Sequence, residues 1–111
     1  MNAQLAALKE TAARAFGVST IDGDYRGAAQ VWGRAFVVHF LRGKGLTWQA
    51  IAQMIGRHHA DAIHLHRKVD DALTLPGYDD IRRIYNDFIN KASYETDKGT
   101  TGSARTLRAT L

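Results

Sequence analysis

Four of the five histidines, His58, His59, His64 and His66, fall within nine residues, so imidazole chemistry is the first to consider. Neutral imidazoles ligate transition metals, act as general bases, and donate hydrogen bonds, for example to DNA bases. A metal centre needs three or more ligand atoms converging on one point. On a single helix, i, i+4 and i, i+7 positions share a face, but His66 falls on the core side and His58 at the helix start. Three ligands from this segment do not converge, and no metal is expected. Enzyme signatures are also absent: Gly43-Lys44-Gly45 lacks the spacing and the following hydroxyl of a phosphate loop. Neither a nucleophile elbow nor a His-Glu-x-x-His pair occurs, so neither catalysis nor a cofactor is expected. Recognition is what remains.

The elements that would position these residues are two helices joined by a tight turn, Leu46 to Val69. Thr47 is placed to N-cap a short first helix with Trp48, Ile51 and Ile55 on one side of a 3.6-residue period. Gly56 tolerates the positive φ of a helix exit and stops it. A second helix starts near His58 or His59. Ala62, Ile63, His66, Val69 and Leu73 then face inward, leaving His59, Ala60, Asp61, His64, Arg67 and Lys68 outward. This is a helix-turn-helix, whose second helix presents its N-terminal residues to base edges in the major groove. His59 is suited to donate to a purine N7 or O6, Ala60 to touch a thymine methyl, and Asp61 to accept from a cytosine amino group.

The segment GRHHADAIHLHRKV resembles the signature of the C-terminal DNA-binding domain of the bacterial replication initiator DnaA family, a pattern close to G-R-D-H-[ST]-T-[VI]-[LIM]-H-[AG]-x-x-K-[IV]. Gly56, Arg57, His59, Ile63, His64, Lys68 and Val69 hold the family's positions. His58 stands in place of its aspartate, Ala60 and Asp61 in place of two hydroxyl residues, and Gly56 alone in place of a Gly-Gly. Val18, Ser19 and Asp22 are similar to an upstream V-S-x-x-D, and Arg34 fits an arginine-rich R-P-R-Q. The resemblance covers about residues 5 to 92. It implies an all-α fold of about five helices around a helix-turn-helix, binding double-stranded DNA as a monomer. Base reading then falls to His58, His59, Ala60 and Asp61, backbone contact to Arg34, Lys44, Thr47, Arg57, His64, Arg67 and Lys68, and minor-groove contact to Arg26. The family's ATPase is not expected here, so the chain reads as a stand-alone domain.

Charge placement agrees. The formal charge is +4 over 111 residues. From Arg26 to Lys68 the bases Arg26, Arg34, Arg42, Lys44, Arg57, Arg67 and Lys68 are opposed only by Asp61, whereas acids outnumber bases from Asp70 to Asp97. A polyanion is the expected partner, with a log–log salt slope of about −4 if four or five phosphates are neutralised. Without cysteine, disulfides and thiolate zinc sites do not apply, and a cytoplasmic, nucleoid-associated location is expected. The most apolar run, Ala35 to Leu41, is too short to span a membrane.

Ala3 to Phe16 reads as an amphipathic helix with Leu5, Leu8, Ala12, Ala15 and Phe16 on one side, ended by Gly17. Gly27 to Arg42 reads as the central buried helix, with Trp32, Phe36 and Phe40 beside a stripe of Val31, Ala35, Val38 and Leu41. Trp48 and these three aromatics read as core rather than a base-stacking platform. Leu75-Pro76-Gly77 precedes a last helix with Ile81, Ile84, Tyr85, Phe88 and Ile89 inward. Residues 1–92 are expected to form the domain and 93–111 a flexible tail. The whole is read as a transcriptional regulator of phage-derived type that recruits a transcription or replication protein. The alternatives are a replication-associated factor on initiator boxes and a helix-turn-helix repurposed for protein contact.

Overall fold

The computed structural model describes residues 3–23 and 27–99, with side chains described up to Ser93. Five helices follow in order: α1 (Ala3–Ala15), α2 (Ala28–Gly43), α3 (Trp48–Ile55), α4 (His59–Thr74) and α5 (Asp79–Gly99). No strand occurs among the described residues, so the fold is all-α. None of these helices is long and apolar enough to cross a membrane.

The other four helices pack around α2, and most extensively α4 does so. A helix with one apolar stripe keeps a wet side, but α2 buries every residue from Gly33 to Val38, a full turn and a half. Phe36 at its middle is wholly buried. Its ring meets Phe16 and Tyr85 edge-on at 5.0 Å each and Phe88 at 5.3 Å, which joins the end of α1, α2 and α5 in one aromatic cluster.

Gly33 is where the chain between α1 and α2 closes onto this core. A Cβ there would lie 2.5 Å from Cγ2 of Ile21, and Ile21 is almost fully buried. The next residue, Arg34, donates from its guanidinium to the Ile21 carbonyl at 2.8 Å. Ile21 had only turn residues around it in the sequence, yet it fills the gap left by the missing glycine side chain. Lys9 pairs with Asp22 at 3.1 Å and so ties the same loop to α1.

Two expectations shift. In α1 the buried face is Leu5, Leu8, Ala12 and Ala13, while Ala15 and Phe16 are only half-buried. At the other end α5 continues to Gly99, so the helix runs past residue 92, where the apolar period ends. No proline or glycine interrupts the chain from Tyr78 to Lys98, and extending an existing helix adds a hydrogen bond for each residue fixed. Apolar periodicity ends sooner than backbone helicity does. Residues 100–111 lie outside the described residues.

Candidate nucleic-acid interface

The turn that sets α4 against α3 is built from three residues. The Thr47 hydroxyl accepts from the Ala50 N–H at 3.1 Å and opens α3. Gly56 closes it in the left-handed region (φ 68°), returning its N–H toward the Ala52 and Gln53 carbonyls, and the Arg57 N–H bonds the Ala52 carbonyl at 2.9 Å. His58 is extended and caps α4 with its backbone alone; no side-chain hydrogen bond caps that end. Ile51, Ala52 and Ile55 from α3 and Ala62, Val69 and Ala72 from α4 are buried beneath the pair.

The outward set stands as spacing requires. His58, His59, Ala60, Asp61, His64, Arg67 and Lys68 are all exposed. The helix N-terminus between them offers backbone N–H groups and the positive end of the helix dipole, which suit a phosphate. Lys68 lies over the Trp32 ring at 4.4 Å, and Lys44 over Phe40 at 5.2 Å. In each case the ammonium itself rests against an aromatic face, a cation–π contact worth about 0.5–1 kcal/mol at exposed sites. Thr47 is exposed, and accepting at its oxygen leaves its hydroxyl proton to donate.

Two of the expected backbone contacts are placed differently. Arg34 is 6% exposed and committed to the Ile21 carbonyl, so it is a structural arginine that does not reach a phosphate. Its position on a fully packed turn of α2 explains this, since every residue around it is buried. Arg57 is half-buried and donates to the Gly23 carbonyl at 2.5 Å, linking the helix-turn-helix turn to the loop before α2. Arg26 lies outside the described residues. Arg42, not singled out from the sequence, is exposed and sits 4.3 Å over Trp48 while donating to the Leu46 carbonyl at 2.9 Å.

Beneath the outward face lies a polar cluster that spacing along the chain did not reveal. His66 is half-buried, as its inward position implies, and its Nδ1 pairs with Asp70 Oδ2 at 3.3 Å. The other carboxylate oxygen of Asp70 meets Nε2 of His39 at 2.9 Å, and Nδ1 of His39 meets the Tyr85 hydroxyl at 2.5 Å. The two imidazoles are stacked, 4.6 Å between centroids and 20° between planes, and Trp48 abuts His66 edge-on at 5.2 Å. Burial pulls the His66 pKa down, outweighing the Asp70 carboxylate, which raises it; His39 and Arg42 lower it further. Burial, aided by Asp70, pushes the Tyr85 phenol up to about 12. Ligand atoms do converge at His66, but not from the one segment that holds four histidines: the groups that meet it come from α2 and from further along α4. His39 carried one sequence signal, a lone histidine between the apolar Val38 and Phe40.

No protein-family model matches the chain, and neither does a curated protein or a solved structure.

Proposed function

We propose that this chain binds duplex DNA sequence-specifically through α4 and regulates transcription by recruiting a partner protein. The observation that carries the reading is the exposed set His59, Ala60, Asp61, His64, Arg67 and Lys68, on a helix set by a three-residue turn against α3. Any small helical domain can contain two helices and a glycine. Here the residues left outward over the first half of α4 include the hydrogen-bonding side chains and cations that recognition of duplex DNA requires. The likeness of Gly56, Arg57, His59, Ile63, His64, Lys68 and Val69 to the DnaA-type signature supports the same reading and a monomeric binding mode.

In this scheme the N-terminal turn of α4 enters the major groove. His59 donates to a purine, Ala60 contacts a thymine methyl, and Asp61 accepts from a cytosine amino group, each discriminating by roughly 1–3 kcal/mol. Lys44, Arg67 and Lys68 neutralise phosphates, while His64 and Thr47 add hydrogen bonds to the backbone. Asp61 contributes by exclusion as well: facing anything but a donor, its carboxylate is left desolvated next to phosphates.

The test is selection of fragmented genomic DNA by the purified protein, with the double variant His59→Ala, Lys68→Ala in parallel. A sharp motif lost in the variant is expected. Enrichment at promoters supports the transcriptional role, whereas enrichment at origin boxes would replace it with a replication role. Equal, featureless recovery by both proteins would overturn DNA reading.

A further inference from the structure

We propose that His39, His66 and Asp70 form a binding site for one divalent transition-metal ion, zinc by donor chemistry, that staples α4 to α2. One ligand atom from each, an imidazole nitrogen or a carboxylate oxygen, lies within 4.8 Å of the others. The two nitrogen–oxygen separations along the cluster are 2.9 and 3.3 Å. With Zn–N and Zn–O bonds of about 2.0–2.2 Å, ligand atoms around a tetrahedral zinc stand about 3.3–3.5 Å apart. The two rings stack at 4.6 Å with only 20° between their planes, so metal binding requires them to swing out of the stack until both in-plane lone pairs meet at one point beside an Asp70 oxygen.

The chemistry fits. Two imidazoles and a carboxylate are a donor set for zinc and its neighbours in the first transition row, and a poor one for magnesium or calcium, which favour oxygen. In the hydrogen-bonded form, both imidazoles present nitrogen to the two oxygens of one carboxylate. On metal entry the proton of each neutral ring moves to its other nitrogen, freeing the carboxylate-side lone pairs. For His39 that other nitrogen is Nδ1, already beside the Tyr85 hydroxyl, so the N–H gains an acceptor. Metal-bound histidines characteristically hold such a partner. Asp70 has a side chain about half exposed, which gives the ion an entry path and leaves room for water in a fourth position. Arg42, the cation acting on His66, is held over Trp48 rather than between the ligands. None of this depends on what the outward face of α4 binds.

The experiment is Zn2+ titration of the full chain against a chromophoric chelator at neutral pH, followed by 15N NMR of the histidine rings. One ion per chain is expected, with Mg2+ failing to compete. The ring nitrogens of His39 and His66 should shift, while those of His58, His59 and His64 stay. His66→Gln and Asp70→Asn should each weaken binding at least tenfold, and Tyr85→Phe, which removes only the hydroxyl behind His39, by about tenfold to a hundredfold. Shifts confined to the exposed histidines, or no competition with the chelator, would overturn the site. The NMR arm uses the unaltered protein, so the outcome stands even if a variant misfolds.

Discussion

Gly33, Arg34 and Ile21 act as a clasp between α2 and the loop before it, and its two α2 residues can be tested separately. Gly33→Ala gains helix propensity of about 1 kcal/mol but places a methyl 2.5 Å from Ile21 Cγ2 in a filled core. Overpacking of this kind costs typically about 1–3 kcal/mol, so a net loss of stability is expected in urea unfolding. Arg34→Met should also lower stability by about 1.5–3 kcal/mol through loss of a charged hydrogen bond to the Ile21 carbonyl, with no change in any salt dependence of DNA binding. A pH dependence follows from the polar cluster, measured with chelator present. The folded pKa of His66 lies below its ordinary 6.5, so its contribution is complete above pH 6.5 and declines as pH falls through the folded value. The phenol of Tyr85 has the opposite sign. Its folded pKa of about 12 exceeds the ordinary 10, so stability is complete below pH 10 and is lost between there and pH 12. Urea midpoints across both windows check this; a flat profile in either would remove that group's share.

At the scale of the element, the short α3 depends on its two ends. It has eight residues, too few to persist by themselves, so its cap and exit matter more than in a long helix. Thr47→Ala should cost about 1 kcal/mol. Gly56→Ala meets nothing within 4 Å, so its expected cost of about 1–2 kcal/mol comes from the left-handed backbone alone. Both changes should lower the thermal midpoint. These features were legible in the sequence because caps and glycine exits are local: a hydroxyl three residues before an amide, or a residue without a Cβ at the turn. The same locality made the outward face of α4 readable. The partners of Arg34 and Arg57 were not legible in this way, because an arginine gives no sequence sign of whether a carbonyl or a phosphate will take its guanidinium.

For the whole molecule the decisive quantity is where the free positive charge lies. In α5, Arg82, Arg83 and Lys91 each pair with an aspartate three or four residues away, so these three cations are neutralised within their own helix. With Arg34 buried and Arg57 engaged, Lys44, Arg67 and Lys68 remain, among the described residues assigned to the DNA backbone, as the cations for phosphates. The expected log–log salt slope is therefore about −3 rather than −4, each phosphate contributing roughly 0.9. A fluorescence-anisotropy series over salt concentration on the selected site measures it, and Lys68→Ala should reduce it by about one. A slope near zero would exclude a phosphate-led complex.

The sequence by itself determined the all-α class, the central position of α2, the limits of α3, and which residues of α4 face outward. Each of these follows from periodicity, capping or glycine chemistry acting within one turn or two. Only the tertiary structure decided that Arg34 is buried, that Ile21 fills the space above Gly33, and that His39 meets His66 and Asp70. Those contacts join residues 13, 12, 27 and 31 positions apart, between segments whose relative placement depends on the packing of the whole core. No local pattern encodes them.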